Sequence, residues 1–210
     1  LEKDAQLLES LGVHFVFAPT PEEMYSAEEM AVPFVFDFDG LDKVMEGKMR
    51  PGHFNGVVQV VSRLFELVRP TRAYFGEKDF QQLAIIRYMV ERSAMAPQFQ
   101  GIQIIGCPIV REPSGLAMSS RNERLSAAEK QTAVVISQAL ISSLEWAKSA
   151  DVATVQQRVI DTINAIEGLE VEYYDIVDKD TLQPTDKWQN AVGCVTVFCG
   201  SVRLIDNIQY

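Results

Sequence analysis

Three short clusters hold residue types that could handle a phosphate-bearing ligand. The first is Phe75-Gly76-Glu77-Lys78-Asp79-Phe80-Gln81-Gln82. An apolar run ends at Gly76 and a helical pattern begins near Asp79, so the cluster reads as the corner where a strand meets a helix. In open α/β sheets that corner is where ligands bind. Gly76 permits close backbone approach, the helix start supplies free N–H groups, and Lys78 adds a full positive charge. The same residues allow a purely structural reading, because Asp79 followed by Gln82 three residues later is also a capping box.

The second cluster is Met118-Ser119-Ser120-Arg121-Asn122. It pairs two hydroxyls with a guanidinium, whose planar fork suits phosphate oxygens. Pro108, Pro113 and Gly115 lie just before it, so it reads as a hinged loop able to close over a ligand, or as a polar connection between domains. The third cluster is Arg50-Pro51-Gly52-His53-Phe54, where Arg50 precedes a helix start and could reach an anion bound there.

The elements that would position these clusters follow from periodicity. Residues 2–10 read as a helix closed by Gly12, Val13–Phe17 as a short strand, and Val32–Phe38 as extended chain. Phe54, Val57, Val58, Val61, Leu64, Phe65 and Val68 keep helical spacing up to Pro70. Arg72–Phe75 reads as a strand, a helix from about Asp79 buries Leu83, Ile86 and Val90, and Ile102–Ile105 is a second strand. This alternation is that of a parallel α/β sheet. Beyond the hinge at 108–117, Ser126 to Glu129 is a capping box that opens a helix to about Lys148. A second helix covers about Val152 to Ile166. Three extended segments follow, Val171–Val177, Ala191–Cys199 and Ser201–Ile205, as in a small α+β domain with an antiparallel sheet.

Composition narrows the function classes. The chain has 210 residues, 47% hydrophobic and 23% charged, which suits a soluble globular protein. No apolar run reaches the roughly 18 residues of a membrane span, and no membrane partner is expected. The net charge of −10 argues against general nucleic-acid binding. Lys48–Arg92 nevertheless carries a local +4, with eight basic and four acidic residues, as a small anionic ligand would require. Three cysteines and two histidines lack metal-ligand spacing, so no metal site is expected, and free thiols fit a reducing, cytoplasmic setting.

Taken together and in this order, Arg50-Pro51-x-His53-Phe54-x-Gly56-Val57, the Phe75–Gln82 cluster and Gly115-Leu116-Ala117-Met118-Ser119-Ser120-Arg121-Asn122 resemble the pantothenate synthetase family almost letter for letter. Leu204-Ile205-Asp206-Asn207 is similar to its C-terminal signature. The resemblance runs from about Leu11 to the end. It implies an α/β fold: an incomplete Rossmann-like parallel-sheet domain over residues 1–110, of the nucleotidyltransferase type, then a small α+β lid domain over 111–210. It implies an AMP-forming ligase that joins pantoate to β-alanine through a pantoyl-adenylate, with ATP as substrate and Mg²⁺ as its companion ion.

By the same resemblance, Gly76, Glu77, Lys78, Asp79, Val110, Met118, Ser119, Ser120 and Arg121 would contact ATP. Lys78, Ser119, Ser120 and Arg121 would act on the phosphates, and Gln82 and Arg50 would serve pantoate and β-alanine. The loop at Met118–Arg121 would be the counterpart of the Lys-Met-Ser-Lys-Ser loop of class I aminoacyl-tRNA synthetases, with Arg121 as its main cation. A homodimer is also implied. The family's Pro-Thr-Met-Gly and His-x-Gly-His segments do not occur in these 210 residues, so the expectation is a truncated chain inactive by itself. Two other readings remain: a different nucleotidyltransferase with a similar half-site, and a non-catalytic oligomerisation or lid piece.

Overall fold

The computed structural model describes every residue from Leu1 to Tyr210. The chain divides into two compact units, Leu1–Val35 and Phe36–Tyr210.

The first unit is helical. Helix α1 (Glu2–Ser10) ends before Gly12, whose φ of 78° turns the chain. Helix α2 (Pro21–Met24) has Pro21 in its first turn and a reciprocal cap between Thr20 and Glu23. Helix α3 (Ala27–Ala31) has the same cap between Ser26 and Glu29. The strand expected at Val13–Phe17 is not formed. These residues take no regular secondary structure and have no ladder partner, and Phe15 is 92% exposed. Extended backbone becomes a strand only where a neighbour takes its N–H and C=O groups.

The second unit begins with helix α4 (Met45–Met49), which sits tight against its own approach loop. A Cβ at Gly47 would run into the Asp42 carbonyl. Helix α5 (His53–Val68) starts from Gly52, at φ 81°, and buries Phe54, Val58 and Phe65. Strand β1 (Arg72–Gly76) follows, then a single 3₁₀ turn at Glu77–Asp79 and helix α6 (Phe80–Glu91). Strand β2 (Gln103–Cys107) lies parallel to β1, with Arg72 opposite Gln103 and Gly76 opposite Cys107. Phe65 of α5 meets Phe75 and Phe99 edge-on, at 6.4 and 5.8 Å between centroids, and ties the helix to the sheet.

The rest of the unit is two helices followed by an antiparallel sheet, within the same compact unit as β1 and β2. Helix α7 (Ala127–Trp146) starts at the Ser126–Glu129 capping box, and helix α8 (Val152–Asn164) is capped by Asp151. Strands β3 (Leu169–Asp178), β4 (Ala191–Cys199) and β5 (Val202–Gln209) form an antiparallel sheet with β4 in the centre. Its last strand is longer than the predicted Ser201–Ile205. Val195, Val197 and Cys199 of β4 pack with Leu140, Val155, Val159 and Ile163 of the two helices. Side chains alternate along a strand, so Cys194 and Thr196 point the other way, toward the α4 side of the site.

Candidate active site

Lys78 and Arg121 line the same cavity, about 230 Å³ in volume, together with Arg50, Asp79, Gln82 and Ser119. Phe54, Phe80 and Leu116 give it apolar walls. These residues come from both halves of the second unit. Lys78 sits on the 3₁₀ turn between β1 and α6, whereas Arg121 sits on a 3₁₀ turn at Ser120–Arg124 that precedes α7.

The Lys78 corner is not held by the predicted capping box. Asp79 caps α6 by position only and makes no side-chain cap bond. Its carboxylate instead lies 3.3 Å from Lys78 Nζ. The corner is fixed from β5: Asn207 Nδ2 donates to the carbonyls of Glu77 and Lys78 at 2.8 and 3.0 Å. Asn207 is itself buried, and its one amide satisfies two part-buried backbone acceptors.

The Arg121 loop is more firmly tied than a free hinge. Arg111 and Ala117 form an antiparallel bridge, and Gly115 makes the turn at φ 99°. Asn122, also buried, donates to Glu112 Oε1 at 2.8 Å and to the Ala117 carbonyl at 3.0 Å. Arg111 makes a two-pronged pair with Asp206, 2.6 and 3.0 Å. Arg121 donates Nη1 to the Arg203 carbonyl at 3.0 Å, and Ser119 Oγ accepts from the Arg121 N–H at 3.2 Å.

A part-buried polar cluster that the sequence reading missed lies against the cavity. Glu46 of α4 accepts from Tyr173 Oη at 2.8 Å, from Thr196 Oγ1 at 3.1 Å, and from Arg203 at 2.6 and 2.9 Å. Burial acts to raise its pKa, but the hydrogen bonds from Arg203 and Tyr173 prevail and hold the carboxyl below its ordinary range. Arg203 also binds Glu172, which occupies the register shift between Val171 and Tyr173. That irregularity gives β3 one extra residue and lets Glu172 and Tyr173 both serve the cluster. The available signal was the i, i+4 pair Glu46–Arg50, 3.7 Å apart in the structure.

His53 lies beside this group. Arg50 Nη1 is 3.2 Å from His53 Nε2. A guanidinium has no acceptor, so Nε2 accepts and the ring is neutral with its proton on Nδ1. Burial first, and the Arg50 charge second, lower its pKa. Gln81 works in the same region. Its Nε2 donates to the Leu41 and Val44 carbonyls at 2.7 and 2.9 Å, which fixes the approach to α4.

Of the predicted site residues, Arg50, Lys78, Asp79, Gln82, Ser119 and Arg121 meet at the cavity. Gly76, Glu77, Val110, Met118 and Ser120 are not part of its wall; Val110 and Met118 are 66% and 53% exposed. No group of three His, Cys, Asp or Glu side chains could cage a metal ion.

An α/β half and an antiparallel half that present cations to one shared cavity define a protein able to hold a polyanion between them. Comparison with known proteins makes the class specific. The family model for pantoate-beta-alanine ligase matches residues 1–209. The pantothenate synthetase of Phocaeicola vulgatus is 57% identical over 100% of this chain and 73% of its own length; that of Bacteroides fragilis is 54% identical over the same shares. Among solved structures, pantothenate synthetase from Thermus thermophilus superposes with a TM-score of 0.88 at 40% identity, covering 99% of this chain and 74% of that one. The pantoate-beta-alanine ligase of Francisella tularensis, solved in complex with beta-gamma ATP and beta-alanine, gives a TM-score of 0.69 at 28% identity, covering 99% and 69%. The chain belongs to the pantoate–β-alanine ligase family.

Proposed function

We propose that this protein joins pantoate to β-alanine at the expense of ATP, through a pantoyl-adenylate. The observation that carries the reading is the convergence of Lys78 and Arg121 on one cavity from separate elements. A pantoate carboxylate oxygen attacks the α-phosphorus, and the bond from that phosphorus to the β-bridging oxygen breaks. Pyrophosphate departs with the electron pair. The β-alanine amine then attacks the adenylate carbonyl, loses a proton, and AMP leaves.

Such chemistry needs positioning and charge stabilisation rather than a covalent nucleophile. Lys78 and Arg121 supply cations for the phosphates, and the Ser119 hydroxyl supplies a further polar contact. Gln82 and Arg50 face the same space and suit the hydroxyls and carboxylates of the two acids. The apolar walls limit water, which would otherwise hydrolyse the adenylate.

The cavity's carboxylates are already engaged: Glu46 with Arg203, Asp79 with Lys78, and Asp206 with Arg111. They form no cage for Mg²⁺. The ion is part of the substrate, held by ATP phosphates and water, and no step here is assigned to it.

Cytoplasmic location and a homodimer belong to the same proposal. No helix is long and apolar enough to cross a membrane. Sedimentation or size-exclusion chromatography reads the assembly directly.

The deciding experiment is an ATP titration by calorimetry, followed by an assay of AMP formation with and without each acid. ATP binding is expected, with AMP release by these 210 residues alone absent or far below that of the longer relatives; any AMP release must require both pantoate and β-alanine. AMP or nucleotidyl transfer that proceeds without pantoate would instead identify a different nucleotidyltransferase.

A further inference from the structure

A second charged cavity shares Arg50 and Arg121 with the main one. Arg50, Arg121, Arg124, Ser201, Arg203 and Glu172 bound a volume of about 400 Å³. Arg50 and Arg121 line both this cavity and the main one, so the two are neighbours across a shared wall of guanidinium groups. Arg124 lines only the second.

The charges in this cavity are unbalanced. Arg203 is matched by Glu46 and Glu172, and Glu172 is the single acid in the lining. Arg121 commits Nη1 to the Arg203 carbonyl, and Arg50 commits Nη1 to His53, with Glu46 3.7 Å from the same nitrogen. Arg124 is exposed and makes no ion pair. Three guanidinium groups therefore keep free donors around a space that holds no uncommitted carboxylate. Each carries a fork of N–H groups that matches phosphate oxygens.

We propose that this cavity is a second anion subsite, which receives inorganic pyrophosphate after it separates from the α-phosphorus. The inference rests on the ATP reading of the main cavity. A diphosphate released beside Arg121 passes to the far face of the same guanidinium, where Arg124 adds a second fork. It need not travel back past the nucleotide. Product release then has its own determinant, separate from the residues that hold ATP.

The test titrates inorganic pyrophosphate and, separately, ATP into the full chain and into Arg124→Ala, with Ser201→Asp as a second variant that places a carboxylate in the subsite. Circular dichroism checks the fold. Each variant is expected to weaken pyrophosphate about tenfold, the effect of losing one charged hydrogen-bonding partner, and to leave ATP affinity within about twofold. Unchanged pyrophosphate affinity in both variants, with ATP still bound, would overturn the subsite and leave the ATP reading intact. Equal losses for both ligands would also overturn it, because one site would then serve both. Failure of the unmodified chain to bind ATP would overturn the underlying reading itself.

Discussion

The backbone carbonyl of Arg203 accepts a hydrogen bond from the side chain of Arg121 at 3.0 Å. The side chain of the same Arg203 grips Glu46, four residues before Arg50. One residue of β5 thus touches the supports of two cavity cations. Cation placement here depends on the antiparallel sheet as much as on the loops that carry the cations.

Removing either cavity cation should affect ligand handling more than folding. Lys78→Ala and Arg121→Ala are expected to weaken ATP binding about tenfold, the effect of losing one charged hydrogen-bonding partner. Stability should change by less, about 0.5–1 kcal/mol, because the Lys78–Asp79 pair is partly solvated. Calorimetric ATP titration and urea denaturation on the same samples separate the two effects. Large stability losses with unaltered ATP binding would mark both residues as structural.

Glu46→Ala should be costly. It leaves Arg203 with Glu172 alone and strips Tyr173 and Thr196 of their acceptor, for an expected loss of about 2–4 kcal/mol. The folded-state pKa of Glu46 is lowered, so its contribution is present above the ordinary carboxylate value of 4.5 and disappears as pH falls from there through the folded value. Denaturation curves from pH 7 to pH 3 should show wild type and variant converging at the acid end. A gap that stays constant over that range would refute the ion-pair account.

His53 should titrate below the usual histidine value of 6.5, because burial and Arg50 both disfavour the imidazolium. A group with a lowered folded pKa is harder to protonate when native than when unfolded. Stability from this site is therefore full above about pH 6.5 and declines as pH drops toward the folded value. Proton NMR on the ring gives the midpoint. Arg50→Ala should move it up without restoring it fully, since burial remains; no movement would show that Arg50 does not act on the ring.

Asn207→Leu tests the fixing of the corner. It leaves the part-buried Glu77 and Lys78 carbonyls without their partner, at an expected cost of about 1–3 kcal/mol in all. ATP affinity should fall with it, because Lys78 rides on that backbone. Hydrogen exchange should quicken at the start of α6. Intact ATP affinity in a folded Asn207→Leu protein would show that the corner holds its shape unaided.

The helices from α5 onward were legible because their signals are local, whereas α4 carried no such signal and went unread. Gly52, Pro70, the Ser126–Glu129 cap and the spacing from Phe54 to Val68 each act within a few residues. The Lys78 and Arg121 clusters were legible for the same reason. Glu46, Tyr173, Arg203 and Asn207 were not, since their meaning lies in partners up to 157 residues away. The Val13–Phe17 expectation failed on the same ground: a short apolar run shows that a segment could pair, not whether a partner is there. The reading of Asp79 with Gln82 as a cap failed because Lys78, next door, takes the carboxylate.

Asp206 and Asn207 are consecutive on β5, and they grip different things: Asp206 the guanidinium of Arg111, Asn207 the backbone at Glu77 and Lys78. One extended strand therefore acts as a common axle for the loop that carries Arg121 and the corner that carries Lys78. Any twist of that strand is delivered to both at once. The two halves of the phosphate grip cannot drift independently, and a disturbance at either end of the cavity is felt at the other through two adjoining peptide units.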